Sequence, residues 1–155
     1  KLGSEIAQDE REVTETTIPL ARTMYLGMDG TGIPMRAEEL EGRSGKEPDG
    51  SAKTREVKLV TVWSAESRDE EGKPIRDEGS VTYSAAIESA AQKDTDEEPS
   101  EFAKRVNREA KRRSFDKAER CVVLGDGAPW IWNLTGEFFP NAIQIVDLYH
   151  AKEHL

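Results

Sequence analysis

Asp29, Asp126 and Asp147 each close a short apolar run: MYLGM before Asp29, CVVLG before Asp126 and AIQIV before Asp147. A buried strand that ends on a carboxylate is how an open α/β sheet builds a metal-dependent site. Neighbouring strands lie about 4.8 Å apart, so two such carboxylates can share one divalent ion. The ion suited to them is hard, Mg²⁺ or Mn²⁺, because carboxylate oxygens are hard ligands. Two ions held this way activate a water or a 3′-hydroxyl and stabilise a leaving oxygen, which is phosphoryl-transfer chemistry. The protein then needs no Ser-His or Cys-His nucleophile pair.

Each aspartate also has a plainer reading. Asp29-Gly30 is a common turn pair. Asp126 can cap the helix that Pro129 opens. Asp147 begins D-L-Y-H, ending at His150, and can cap a following helix. His150 and His154 share the spacing of a zinc-binding helix but lack the glutamate of H-E-x-x-H and any cysteine pair. A structural role beside the site suits Asp147 and His150 better. DGTG lacks the lysine and spacing of a phosphate-binding loop.

Elements must position these groups. TMYLGMDG (23–30) reads as a strand, with Gly30 and Gly32 allowing a sharp turn after it. TREVKLVTVW (54–63) alternates with a period of two, and a third strand falls near 80–83. Helices are expected at about 83–93, where Ser84, Ala85, Ala86, Ala90 and Ala91 favour helix, and at 100–114, capped by Ser100. In the second helix Phe102, Val106 and Ala110 form one apolar stripe. ERCVVLGD is a strand. Pro129 opens a helix reaching Phe138, with Trp130, Leu134 and Phe138 at four-residue spacing. AIQIV is a strand, and a last helix starts at LYHAKEHL. Residues 36–53 and 66–79, rich in charge and glycine, are expected to be the loosest internal segments. The long helical crossover before Cys121 suits a parallel return. That return would set the Asp29 and Asp126 strands side by side, with both carboxylates at one end.

Composition bounds the rest. The 155 residues suit one domain, 1–21 reading as a linker or the tail of an upstream region and 22–155 as the domain. No apolar run approaches the length of a membrane span. Cys121 is the sole cysteine, which excludes an internal disulfide and multi-cysteine zinc and points to a reducing, cytoplasmic compartment. The net charge of −9 argues against non-specific DNA binding. Yet residues 104–120 are rich in lysine and arginine. Lys104, Arg108, Lys111 and Arg112 form either a solvated helix face suited to the helix dipole or a contact for a phosphate backbone. Trp132 is open to a stacking role on a displaced base, whereas Trp130 falls on the apolar stripe.

The blocks MYLGMDGTGIPMR, SAKTREVKL, VVLGDGAPWIWNL and FPNAIQIVDLYHAKEHL resemble the bacterial ISKra-type insertion-sequence transposases. The D-x-x-H of residues 147–150 is similar to an element of the wider Mutator-like group. The resemblance covers roughly residues 22–155. It implies an RNase H-like α/β fold, a mixed sheet of three antiparallel strands followed by parallel ones and flanked by helices. It further implies DDE chemistry with Mg²⁺ or Mn²⁺, transposon-end DNA as substrate and a homo-oligomer in the full-length protein. Carried over by position, Asp29 and Asp126 are the first two catalytic, metal-holding acids, and Asp147 and His150 the D-x-x-H element. The family's third acid, a glutamate on a later helix, has no match. Glu153 follows the D-x-x-H block too closely to take that role, so the chain is expected to be an incomplete catalytic domain. A non-catalytic RNase H-like binding module and a nuclease on the same fold remain as alternatives.

Overall fold

Alternation along the strands decides which face of the sheet is covered. The computed structural model describes residues 18–34, 54–88 and 99–147. Within them lie strands β1 (Thr23–Pro34), β2 (Thr54–Ser64) and β3 (Thr82–Glu88), helix α1 (Glu101–Arg112), strand β4 (Arg120–Gly125), helix α2 (Pro129–Phe138) and strand β5 (Ile143–Val146). Met24, Leu26 and Met28 of β1, Val60 and Val62 of β2, Ala86 of β3 and Val123 of β4 are buried with Phe102, Val106 and Ala110 of α1 and Ile131 of α2. Both helices therefore cover one face of the sheet. The alternate residues, among them Leu59, Tyr83, Ile87, Ile143 and Ile145, are exposed on the other.

The strands form one mixed sheet in the order β3-β2-β1-β4-β5. β1 pairs antiparallel with β2, and β2 antiparallel with β3. β4 runs parallel to β1, and β5 parallel to β4. The parallel return expected from the helical crossover is present. Among the described residues, no helix is long and apolar enough to cross a membrane.

α1 begins where the sequence indicates, with the Ser100 hydroxyl accepting from the Ala103 amide at 3.0 Å. Its C-terminal end is fastened by Arg113, which is 3% exposed. One guanidinium nitrogen donates to the Val62 carbonyl at 3.0 Å and the Thr82 hydroxyl at 2.9 Å, and also to the Ser80 carbonyl. That single side chain joins α1 to β2 and β3.

Four expectations need correction or restriction. The helix expected at 83–93 is a strand as far as Glu88. Its small residues Ser84 and Ala86 are buried, leaving room for α1, and this tertiary demand overrides alanine's helix propensity. β1 does not turn at Gly30: it stays paired to β2 as far as Pro34, opposite Thr54. In α2 the fully buried positions are Ile131 and Thr135, while Trp130, Leu134 and Phe138 are only partly buried against the core. The Thr135 hydroxyl tolerates burial because it donates to the Ile131 carbonyl at 2.7 Å. The connection around residues 66–79 is tied together by Asp77, as described below. Residues 36–53 and the final helix with His150 lie outside the described residues.

Candidate metal-dependent site

Strand register sets the aspartates level. Gly27 of β1 is opposite Leu124 of β4, and two further residues on each strand bring Asp29 level with Asp126. Gly125 is opposite Val146 of β5, so one further residue brings Asp126 level with Asp147. The Asp147 amide donates to the Gly125 carbonyl at 2.8 Å and carries the pairing to that level. By alternation Asp29 shares the face of Tyr25 and Gly27, the face opposite the helices. All three aspartates line one cavity of about 300 Å³ with Gly27, Leu59, Thr61 and Trp63.

The local backbone orients two of the carboxylates. Asp29 Oδ1 accepts from the Gly30 amide at 2.8 Å. Asp126 Oδ1 accepts from the Ala128 amide at 2.8 Å, a turn bond rather than the expected helix cap, since Ala128 is itself the N-cap of α2 and no side chain caps that helix. In each case one oxygen is fixed by an amide and the other remains for a further ligand. The turn after Asp126 uses Gly127 at φ +96°, a conformation glycine adopts without steric cost. Gly125 is required by packing: a Cβ there would lie 2.7 Å from Ile131 Cγ2. The close seat of α2 on β4 thus fixes where Asp126 emerges.

The donor chemistry fits a hard divalent ion. Among the described residues no three His, Cys, Asp or Glu side chains already form a ligand group. Mg²⁺ does not need one: it is commonly held by one or two carboxylates, with waters and substrate phosphate oxygens completing its shell. Asp29 and Asp126 are the residues that would hold it.

The other expected contacts are not gathered here. Lys104, Arg108, Lys111 and Arg112 belong to α1, on the covered face, and none lines the cavity. Arg112 is engaged with the buried Glu109 at 3.4 Å. Trp132 packs partly against the core, as does Trp130, whose ring meets Phe102 edge-on at 5.5 Å and carries the Lys58 ammonium 4.7 Å from its centroid. Cys121 is partly buried, its thiol donating to the Phe115 carbonyl at 3.0 Å, and burial pushes its pKa up.

Two cavity residues escape sequence reasoning. Trp63 and Arg76 line the same space, with the guanidinium carbon 4.7 Å from the ring centroid. Trp63's place in the alternation of β2 marks its face, but nothing in the sequence joins it to a loop arginine. No protein-family model, curated protein or solved structure matches the chain.

Proposed function

We propose that the chain is the catalytic part of a DDE-type transposase, an RNase H-like domain that cuts and joins DNA ends with a divalent ion. The carrying observation is that Asp29, Asp126 and Asp147 stand level on three adjacent parallel strands and line one cavity. The antiparallel β1, β2 and β3, followed by the parallel β4 and β5, support the fold this reading requires. A bound divalent ion supplies Lewis-acid activation of the attacking hydroxyl and charge stabilisation on the leaving oxygen. Asp29 and Asp126 would hold that ion, each having one carboxylate oxygen bonded to a backbone amide and the other left for a ligand. Asp147 adds negative charge at the cavity. Transposon-end DNA is the substrate.

The test is Mn²⁺-dependent nicking of supercoiled plasmid by the protein that carries this sequence. Asp29→Asn and Asp126→Asn should each abolish nicking and leave the fold intact, since each removes a charged ligand and keeps its shape. Nicking that survives both changes would place the chemistry elsewhere. An inactive protein that still binds DNA would instead identify a non-catalytic binding module.

A further inference from the structure

The cavity has two chemically different ends. The aspartates form one. At the other, the Trp63 ring stacks on Tyr25, with centroids 5.6 Å apart and planes inclined by 14°, and the Arg76 guanidinium lies over the same indole at 4.7 Å. Trp63 is opposite Tyr25 in the sheet, about 13 Å along β1 from Asp29 at strand rise. The indole leans towards the aspartates: a Cβ on Gly27 would lie 3.1 Å from its Cζ3.

A loop arginine is ordinarily free to wander, but this one is anchored by its neighbour. The Asp77 carboxylate accepts from the Ser64 hydroxyl, from the Glu66 amide at 3.1 Å, and from the Ser67 amide and hydroxyl at 2.7 and 2.6 Å. The Asp77 amide donates back to the Ser64 carbonyl at 3.0 Å. Ser64 ends β2, so the Arg76 backbone is fastened to the strand that carries Trp63. Among the described residues Arg76 forms no ion pair, and it is exposed. A planar guanidinium, stacked on an indole and lacking a carboxylate partner, is pre-organised for a bidentate contact to phosphate oxygens.

We propose that Arg76, stacked on Trp63 and held by Asp77, binds a backbone phosphate of the nucleic-acid strand whose reacting phosphate meets Asp29 and Asp126. This rests on the function proposed above. Arg76 takes a flanking phosphate, its stack standing on the Tyr25–Trp63 pair, four residues along β1 from Asp29. Asp77 is a positioning residue. Three aspartates at one end of the cavity repel a polyanion, so strand binding requires both a divalent ion there and the cation at the far end.

The experiment measures binding of a fluorescent single-stranded oligonucleotide to the 155-residue chain by anisotropy, in Ca²⁺, across a salt series. Arg76→Ala should weaken binding about tenfold, as loss of a charged hydrogen-bond partner does. It should also make the salt slope shallower by about 0.7, one phosphate contact on a single strand. Arg76→Lys should fall between, keeping the charge and losing the fork. Asp77→Asn should weaken binding with Arg76 still present. Melting of Arg76→Ala at the wild-type temperature checks that the fold is intact. If Arg76→Ala binds with unchanged affinity and slope while Asp29→Asn weakens binding, the phosphate subsite is overturned and the proposed function stands. If Arg76→Ala weakens binding but Asp29→Asn and Asp126→Asn do not, the subsite holds and the metal reading fails. No binding by the wild-type chain in Ca²⁺ would overturn both.

Discussion

Asp77 illustrates how a single side chain can set the shape of a loop. Hydrogen bonds from the Ser64 hydroxyl first, then from Ser67, hold its carboxyl well below the usual carboxylate range. A depressed folded value means that ionised Asp77 contributes stability in full above the unfolded value of about 3.9. That contribution is lost as pH falls through the lower folded value. Asp77→Asn keeps an acceptor and loses the charge, so it should destabilise the chain by about 1 kcal/mol at pH 7. Thermal melts of the two proteins should differ at pH 7 and converge as the pH drops well below 4. A gap that persists unchanged into strong acid would mean that the carboxylate charge is not what secures the loop.

The contact between Gly125 of β4 and Ile131 of α2 controls the geometry of the Asp126 turn. Gly125→Ala would drive a methyl to 2.7 Å from Ile131 Cγ2, and overpacking of this kind costs about 1–3 kcal/mol. Denaturant unfolding should show that loss, and adding Ile131→Val should recover part of it, giving a non-additive double-mutant cycle. Arg113→Leu should cost about 2 kcal/mol by stranding the Val62 and Ser80 carbonyls. Elements of this kind were legible to different degrees. The strand ending at Gly125 and helix α1 could be read because their apolar spacing agrees with the packing, and Ser100 and Pro129 mark where α1 and α2 begin, although the buried face of α2 is that of Ile131 and Thr135. β3 could not, because Ser84 and Ala86 are small where α1 packs, and smallness mimics helix propensity. The run of β1 past Asp29 was hidden by Gly30 and Gly32, which read as a turn. At Gly30 the missing side chain instead makes room, since a Cβ would lie 2.8 Å from Glu56 Oε1 and 3.3 Å from Trp130 Cζ2. Asp126 and Asp147 were legible as strand-end carboxylates, whereas Asp29 reads as one but lies within β1, which continues to Pro34. Arg76 was not, because a loop residue has no periodicity to assign it a face.

At the scale of the molecule, a chain of net charge −9 sets three carboxylates level across neighbouring parallel strands and lines one cavity with them. Like charges brought together raise the energy of the folded state unless a cation enters. Without divalent ions, Asp29→Asn or Asp126→Asn should leave the melting temperature unchanged or raise it, since each removes one repelling charge. With Mn²⁺ the order should reverse. An ion that binds only the folded chain, at a free concentration 100 times its dissociation constant, stabilises it by about 2.7 kcal/mol. For a domain of this size that is a rise of roughly 5–10 °C. The wild-type chain should show such a rise in a Mn²⁺ titration followed by calorimetry, and both Asn variants should lose most of it. Arg76→Ala should keep the Mn²⁺ response, because the guanidinium stands at the other end of the cavity and holds no ion. Equal Mn²⁺ shifts in the wild type and both Asn variants would mean that the ion binds elsewhere on the acidic surface. The level placement of the aspartates would then be a feature of the sheet alone.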